Sequence, residues 1–349
     1  MNVGVVGCGY WGSKHVRVLH GISDVERVVG IDNSEDRLLT LKRSFPSMLL
    51  HSSLEAALPD VDALVIATPP RTHVALAMGA MAAGKHVLIE KPLATSSAEA
   101  ELLVDESRRR SVTLMVGHTF EHNPAVWKLR ELIQTGVLGQ IHYLDSARLN
   151  LGLYQSDVNV IWDLAPHDVS IFNYILDSQP NTVQAWGSRH AHLSLEDVAY
   201  LRLWYSAPNV TANIHVSWLD PCKVRRVTAV GSRRMVVYND LAAEERIRVF
   251  DKGVTQAEDT GDAGQIPMSY RYGDISSPYL VSPEPLDVQD RHFVSCILEA
   301  KVPSTDGENG VAVVRVLEAA QISLLENRPV ALGESALTQQ TPHLARATG

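Results

Sequence analysis

The chain opens with Val3-Gly4-Val5-Val6-Gly7-Cys8-Gly9-Tyr10-Trp11-Gly12, an apolar run followed at once by a glycine-rich turn. The apolar run predicts a buried strand, and the residues after the turn predict a helix over 11–20. In such a strand–turn–helix unit, Gly7 permits the tight turn, Gly9 lets a pyrophosphate approach the backbone, and Gly12 lets the helix pack on the strand. The helix N-terminus supplies N–H donors for phosphate. The stretch therefore predicts a dinucleotide site, and the alternative is a glycine-rich turn without a ligand.

The same alternation of apolar runs and helical stretches continues to about residue 120. Uninterrupted β-branched runs indicate strands that are buried on both faces, and their alternation with helices indicates a parallel, doubly wound sheet. The further predicted strands are 27–31, 63–67, 86–89 and 113–116, and the further helices are 35–44, 72–83 and 96–110. We therefore expect an α/β Rossmann domain over residues 1–121.

The second part of the chain, residues 122–349, has a different pattern. Ala212, Ile214, Val216 and Trp218 alternate with polar residues, a period of two that is typical of a sheet with one covered face. The predicted strands are 141–149, 183–187, 200–205, 210–217, 224–231 and 235–239, with a hairpin turn at 231–232, and the predicted helices are 124–135, 288–299 and 311–326. Residues 261–285, rich in Gly, Asp, Ser and Pro, predict a mobile loop. We expect an α+β domain with a large open, mainly antiparallel sheet.

The composition is that of an ordinary globular protein. The 349 residues are 45% hydrophobic and 20% charged, which suits about two domains. The formal net charge of −9 is the opposite of what a nucleic-acid-binding surface needs, so no nucleic-acid partner is expected. The three cysteines have neither disulfide nor metal spacing, which indicates a reducing compartment and no metal. Without a targeting segment or an apolar run of about 20 residues, we expect a cytoplasmic protein with no membrane partner.

The second predicted strand ends at an acidic residue. Asp32 lies 25 residues after Gly7, close to the spacing at which a carboxylate binds the ribose hydroxyls of a dinucleotide. A carboxylate there would repel a 2′-phosphate, which favours NAD over NADP, although the nearby Arg37 keeps NADP open. We assign Asn33 to the same end of the cofactor site. The alternative is that Asp32 caps the helix that starts near Ser34.

Glu90-Lys91-Pro92 follows the strand predicted over 86–89. Ligand sites of open α/β sheets lie outside the carboxyl ends of the strands, so Lys91 is expected to point into the crevice. Pro92 forces a sharp exit of the chain and fixes the position of the lysine. The alternative for any lysine is a solvated position on the surface.

A fourth signal is Trp162-Asp163-Leu164-Ala165-Pro166-His167-Asp168. Pro166 predicts the first turn of a helix, which would place Asp163 near the N-cap and His167 about one turn later on the same face. Alone, these two residues would be read as a cap and a buried histidine. Together with a dinucleotide site and Lys91, they predict a set for proton and hydride transfer.

These motifs together resemble the glucose-fructose oxidoreductase/inositol dehydrogenase/MocA (Gfo/Idh/MocA) family of oxidoreductases over essentially the whole chain. The resemblance rests on residues 7–12, Thr68-Pro69-Pro70-Arg71-Thr72-His73, Glu90-Lys91-Pro92 and the pair Asp163 and His167. It implies that Lys91, Asp163 and His167 correspond to the catalytic lysine, aspartate and histidine of the inositol dehydrogenase branch. It implies an NAD site lined by Tyr10, Trp11, Asp32, Thr68, Pro69, His73, Glu90 and Lys91. It also implies a homodimer or homotetramer built through the open C-terminal sheet.

The sequence departs from the family pattern in one place. Many members carry His-x-x-Asp, whereas Ser170 occupies the third position here and Asp168 directly follows His167. The sequence of residues 163–168 is more similar to that of family members that act on nucleotide-linked or glycosylated sugars. Arg148 is either a phosphate clamp for such a substrate or a residue on a solvated strand edge. With Trp162 and the three catalytic residues, it completes the predicted substrate site.

The sequence thus predicts an NAD-dependent dehydrogenase that oxidises a secondary hydroxyl, for example at C3, of a sugar, amino-sugar, nucleotide-sugar or glycoside, or reduces the corresponding ketone. His167, with the nominal histidine pKa of about 6.5, would act as general base, Lys91 would stabilise the alkoxide, and Asp163 would orient its partners. One alternative is a glycosidase that uses NAD for oxidation, elimination and re-reduction, with the same motifs. Another is a non-catalytic NAD(H) sensor, which needs no lysine–aspartate–histidine set.

Overall fold

The computed structural model describes residues 1–152, 154–155, 157–191, 194–256, 268–281 and 283–332. Over these residues the chain forms a six-stranded sheet followed by a nine-stranded sheet, each flanked by helices. In the same ranges, no helix combines the length and the apolar character that crossing a membrane requires.

The six-stranded sheet is parallel throughout, with the strand order β3-β2-β1-β4-β5-β6. Its strands are β1 Asn2–Val6, β2 Arg27–Ile31, β3 Leu49–His51, β4 Ala63–Ile66, β5 His86–Glu90 and β6 Leu114–Gly117. Of these, β3 had no predicted counterpart, because three residues are too few to show a period. The strand order reverses between β1 and β4, which is where open α/β sheets place their ligands. The predicted Rossmann domain is confirmed.

Helices cover both faces of this sheet, at bounds close to the predicted ones. They are α1 Tyr10–Leu19, α2 Glu35–Ser44, the single turn α3 Leu54–Ala57, α4 His73–Ala82 and α5 Ser97–Arg110. The start of α1 requires a glycine, since a Cβ at Gly12 would lie 1.8 Å from the carbonyl oxygen of Gly7. Gly7 itself has a φ of 87°, a left-handed conformation that suits glycine.

The nine-stranded sheet has the order β14-β13-β12-β11-β7-β10-β9-β8-β15. Its strands are β7 Ile141–Leu151, β8 Thr182–Ser188, β9 Val198–Tyr205, β10 Val210–Ser217, β11 Leu219–Gly231, β12 Met235–Asn239, β13 Ile247–Gln256, β14 Met268–Ser276 and β15 Val330–Ala331. All neighbours are antiparallel except β7 and β10, which run parallel. The predicted mainly antiparallel sheet is confirmed, and the alternating residues Ala212, Ile214 and Val216 are buried against the helices.

Two predictions for this second part are wrong. The loop expected over 261–285 contains β14 and the first residue of a helix, while residues 257–267 and 282 lie outside the described ranges. The helix expected to open near Asp163 begins three residues earlier, as α7 Val160–Leu176. Its N-cap is Asn159, whose side-chain oxygen accepts a hydrogen bond from the Trp162 N–H. Asp163 is therefore not the cap, and Pro166 lies inside the helix.

The last two helices of the described chain pack against the first sheet. The remaining helices are α6 Pro124–Gln134, α8 Pro285–Leu298 and α9 Gly307–Glu326. Phe293 and Val294 of α8 belong to the core cluster beneath β1, and Val311 and Val314 of α9 belong to the cluster on its other face. The C-terminal part of the chain thus contributes packing to both sheets, and it brings α8 close to the glycine-rich turn of α1.

Candidate active site

Lys91 and Asp163 meet at the carboxyl edge of the parallel sheet. Lys91 directly follows β5, and its Nζ donates a hydrogen bond of 2.6 Å to the backbone oxygen of Asp163 and lies 3.4 Å from Oδ1 of that residue. The two side chains keep 12% and 22% of their surface exposed, so the pair is sheltered but accessible. The peptide bond between Lys91 and Pro92 is cis. The structure therefore brings together two of the three predicted catalytic residues.

Trp218 fixes the other oxygen of the Asp163 carboxylate. Its indole Nε1–H donates to Oδ2 at 2.9 Å, and the buried ring packs against Tyr154 with 5.3 Å between centroids. Sequence reasoning placed Trp218 only as the last apolar residue of an alternating strand. The missed signal is chemical, since a buried indole N–H needs an acceptor. Asp163 is thus held at Oδ2, with Oδ1 and the backbone oxygen turned to Lys91.

His167 lies one turn after Asp163 in α7, at the same edge. Burial, followed by the nearby cations Lys91 and Arg148, lowers the pKa of His167 well below its ordinary value. This differs from the nominal value expected from sequence, because neither burial nor the cations are visible there. Its Nδ1 is buried and has no hydrogen-bond partner among the described residues, and the Phe120 ring meets it edge-on with 5.0 Å between centroids. A neutral imidazole is able to accept a proton from a ligand.

Arg148 is buried and forms an ion pair with Asp168. It is 6% exposed, its Nε donates to Oδ2 of Asp168 at 2.7 Å, and its Nη2 donates to Oδ1 at 3.2 Å. This buried fork explains the departure from His-x-x-Asp, because the acid after His167 binds Arg148 beneath the site. Ser170 donates its hydroxyl to the backbone oxygen of His167 instead. The alternative of a solvated strand edge is wrong, because Arg148 is buried, and its predicted contact with substrate stays a prediction.

Trp162 is half-buried at the junction of the two parts of the molecule. It packs against the helix-covered core of the second sheet and also against the core of the first sheet. Its predicted contact with substrate stays a prediction.

The glycine-rich turn and Asp32 form a connected unit. The N–H of Cys8 donates to Oδ2 of Asp32 at 2.7 Å, and the N–H of Ser34 donates to Oδ1 at 2.8 Å. Nη1 of Arg37, whose side chain is 57% exposed, lies 3.5 Å from Oδ2. Although Asp32 does accept the Ser34 N–H, the helix cap by backbone geometry is Ser34. The carboxylate therefore stands at the end of β2, where a ribose diol would reach it.

The first turn of α1 is open toward this unit. A Cβ built on Gly9 would meet nothing within 4 Å, so the backbone there is accessible to a bulky ligand. Tyr10 and Trp11 are exposed and packed edge to face, and Asn33 is exposed after Asp32. An open helix N-terminus with free N–H donors fits the pyrophosphate of a dinucleotide.

His73 links the remaining predicted cofactor residues to the Glu-Lys-Pro turn. It is fully buried, and its ring nitrogens each lie 2.9 Å from a carbonyl oxygen, that of Pro92 on one side and that of Thr68 on the other. Burial lowers the pKa of His73. Thr68 is half-buried and Pro69 is exposed in the loop after β4. His73 thus ties the two loops together from beneath.

Glu90 contacts His15 and the backbone of Lys91, and the sequence did not predict the contact with His15. Its Oε1 lies 2.9 Å from Nε2 of His15, and its Oε2 accepts the backbone N–H of Lys91 at 3.3 Å. Nδ1 of His15 contacts both oxygens of Asp290, at 3.0 and 2.9 Å. His15 follows the glycine-rich turn and Asp290 lies in α8, about 200 residues beyond Glu90, so that no local pattern could connect them. Within the described ranges, no grouping of His, Cys, Asp and Glu suitable for a metal ion is present.

Two family models match this chain. A model of an oxidoreductase family with an NAD-binding Rossmann fold matches residues 1–118, and a model of the Gfo/Idh/MocA C-terminal domain matches residues 126–237. Together the two models cover more than half of the chain.

Individual relatives are dehydrogenases. The chain is 35% identical to a UDP-N-acetylglucosamine 3-dehydrogenase of Acidithiobacillus ferrooxidans over 193 residues, 54% of this chain and 58% of that protein. It is 26% identical to a myo-inositol 2-dehydrogenase of Thermotoga maritima over 96% of this chain and 99% of that protein. A solved structure of the Acidithiobacillus ferrooxidans enzyme matches 93% of this chain and 97% of its own, with a TM-score of 0.77 and 26% identity.

Proposed function

The chain belongs to the Gfo/Idh/MocA family of NAD-binding oxidoreductases, and on that premise we propose that it is an NAD-dependent dehydrogenase oxidising a secondary hydroxyl of a sugar or sugar derivative. One observation carries the proposal: Lys91 and Asp163 are in contact, one helical turn from His167, at the carboxyl edge of the Rossmann sheet. A cation, a carboxylate and a neutral imidazole at this edge are the groups that removal of hydride and proton requires.

The residues present fit a bound NAD. The open backbone at Gly9 and the N–H groups of α1 suit a pyrophosphate, and Asp32 suits the ribose diol. When bound, NAD supplies the hydride acceptor. His167 takes the proton of the hydroxyl, because its lowered pKa keeps the imidazole neutral. Lys91 holds a positive charge where negative charge develops on the substrate oxygen, and Asp163 positions that cation.

NAD rather than NADP is the proposed cofactor. Asp32 directly follows β2, at the position from which a carboxylate binds the ribose diol, and its Oδ2 lies 3.5 Å from Nη1 of Arg37. A 2′-phosphate beside this carboxylate would be repelled, and about ten-fold weaker binding of NADP corresponds to about 1.4 kcal/mol. Titration of both oxidised cofactors decides it. Equal or tighter binding of NADP would indicate that Arg37 binds the 2′-phosphate instead.

The substrate class is proposed from the relatives. UDP-N-acetylglucosamine is the substrate in the name of one relative and myo-inositol in that of another, both of them polyhydroxylated rings. We propose a sugar, amino-sugar, nucleotide-sugar or glycoside that is oxidised at a ring carbon such as C3, or the reverse reduction. The test is a panel of free, nucleotide-linked and glycosidic sugars with NAD, in which the formation of NADH is followed by absorbance. Absence of turnover on every ring hydroxyl would contradict the proposal.

Two other functions share parts of this site. An NAD-dependent glycosidase would use the same residues for a transient oxidation, and product analysis with a glycoside separates it, because the sugar would be released without net NADH. A non-catalytic NAD(H) sensor would bind the cofactor without turning over any substrate. The contact between Lys91 and Asp163 favours the dehydrogenase over the sensor, because a sensor has no use for this pair.

The open face of the second sheet supports a homo-oligomer. Trp186, Tyr143 and Tyr200 are all more than 40% exposed, and His215 stacks on Tyr200 with 4.0 Å between ring centroids. A wide sheet face that carries aromatic rings favours burial against a second copy. We propose a dimer or tetramer built through this face, in a cytoplasmic protein whose domains meet at about residue 121. A stable monomer in light scattering at micromolar concentration would contradict the oligomer.

A further inference from the structure

Asp290, His15 and Glu90 form a buried row that ends at Lys91. Asp290 and His15 have no exposed surface, and Glu90 is 8% exposed. The row joins α8, α1 and the end of β5, three elements that are far apart in sequence. Its last contact is the bond from the Lys91 backbone N–H to Oε2 of Glu90. The row therefore runs from the C-terminal helices to the residue that carries the proposed catalytic cation.

The protonation of this row is set by its two carboxylates. Burial opposes a charged imidazole, but Asp290 and then Glu90 outweigh it and raise the pKa of His15 to about 10. An imidazolium donates from both ring nitrogens, which matches carboxylate oxygens at 2.9 Å on both sides. His15 therefore binds both acids at once at neutral pH.

Stability alone does not explain such a row. Replacing buried ion pairs with apolar residues of similar volume is often neutral or stabilising, so burial of three ionisable groups indicates another use. The surroundings of Glu90 are shaped for one orientation of its side chain. In the register of the sheet, Glu90 lies opposite Gly117, and a Cβ at that glycine would come within 3.2 Å of Cδ and Oε1 of Glu90. Gly117 leaves room for the carboxylate in the position that His15 selects.

We propose that His15 and Asp290 are positioning residues that act through Glu90 on Lys91. His15 fixes one oxygen of Glu90, so the other oxygen is available to the Lys91 N–H, and Asp290 fixes the imidazole from its far side. The lysine then leaves the sheet at a defined angle, with Nζ on Asp163. This inference rests on the proposed function, since Lys91 is its endpoint.

The central experiment is Asp290→Asn, which keeps size and polarity but removes one charge. We expect kcat on an accepted sugar to fall about ten-fold, while the Kd of NADH, measured by its fluorescence, changes less than about three-fold. With only Glu90 left as a charge partner, His15 loses its proton at lower pH, so the variant gains an alkaline decline in kcat that the wild type lacks near neutral pH. The groups that face His15 are Asp290 and Glu90, with Gln289 beside Asp290.

Two further variants test whether Asp290 influences kcat through Glu90. If Asp290 acts through Glu90, then adding Asp290→Asn to Glu90→Gln causes no further loss of kcat, whereas independent effects would multiply. Gly117→Ala crowds the Glu90 carboxylate without changing any charge in the row, and we expect it to lower kcat without the alkaline decline. It also serves as the readout if Asp290→Asn does not fold.

Phe293→Leu is the matched control, because it weakens the packing of α8 three residues from Asp290 without touching a charge. We expect it to lower the melting temperature while kcat per NADH-binding site and its pH profile stay unchanged. The inference is overturned if Asp290→Asn behaves like this control, or if the Glu90 and Asp290 losses multiply. If the wild-type protein does not bind NADH, the proposed function fails and the inference fails with it.

Discussion

His15 and His167 lie on two sides of Lys91 and have opposite electrostatic surroundings. His15 sits between two carboxylates that raise its pKa to about 10, whereas His167 is buried near cations that lower its pKa well below the ordinary value. Burial acts in the same direction on both, so the sign of the neighbouring charges makes the difference. The surroundings of His15 favour a cation, and those of His167, the proposed base, favour a neutral ring.

This comparison shows how chemically identical residues in one site receive different tasks. His15 lies on α1 and bonds to residues of β5 and α8, so that both ring nitrogens are occupied. His167 lies on α7, and its Nδ1 has no partner in the described part of the chain. A base must be unprotonated before the reaction, whereas a positioning group need not be. Each prediction below tests one side of the contrast.

The largest effect is expected for His167→Asn. Removal of a general base lowers kcat by about 10²–10⁴ and abolishes the acidic limb of the pH–rate profile, which in the wild type lies below about pH 6.5 because the pKa of His167 is lowered. Steady-state kinetics across the pH range measure both quantities. The control is His20→Asn, on an exposed histidine at the end of α1. Near-wild-type kcat in the His167 variant would contradict its role as base.

Lys91→Met is expected to follow, with a loss of kcat of about 10²-fold and little change in the Kd of NADH. The reason is that a cation contributes mainly as negative charge develops on the substrate oxygen. Lys85→Met is a matched control at the opposite end of β5, where the lysine Nζ donates to the Val61 carbonyl oxygen. A parallel loss of NADH affinity in the Lys91 variant would instead assign the lysine to cofactor binding.

The free energy of unfolding should depend on pH in a way that reports the charge on His15. Because the folded-state pKa of His15 lies above its unfolded value of about 6.5, its contribution is full below that pH and is lost as the pH rises toward about 10. The slope is at most about 1.4 kcal/mol per pH unit. We expect the advantage of the wild type over Asp290→Asn in urea unfolding to shrink from about pH 7 to about pH 9. An advantage that is constant or grows would contradict the imidazolium assignment.

The smallest effect is expected for Trp218→Phe, which removes the N–H that holds Asp163 but keeps a buried aromatic ring. Loss of one hydrogen bond to a charged group lowers kcat by about ten-fold, because Asp163 then holds the lysine less firmly. Trp186→Phe on the exposed face of the second sheet is the matched control. Equal kinetics for the two variants would show that the indole N–H does not position Asp163.

Much of the fold was predictable because its signals are local. The glycine-rich turn, the apolar runs and the helical stretches of the first part lie at or near their expected positions, and β2, α2 and β12 match the expected bounds. The predictions for the cap of α7 and for the loop over 261–285 were wrong because each relied on a local pattern alone. Asn159 rather than Asp163 is the cap of α7. The Gly, Asp, Ser and Pro content of residues 261–285 predicted a loop where β14 lies, and all residues of β14 are exposed, so no buried apolar face marks the strand.

By itself, the sequence determined the parallel Rossmann sheet, the glycine-rich turn with Asp32, and the positions of Lys91, Asp163 and His167 in the chain. Those features follow from periodicity and from residues that are adjacent or nearly so. The tertiary structure alone decided that Arg148 binds Asp168 under the site, that Trp218 holds Asp163, and that Asp290 reaches His15 and Glu90 from α8. It also decided which histidine carries charge. The reason is that a pKa and a hydrogen bond depend on distances across the fold, and a linear pattern contains no such distances.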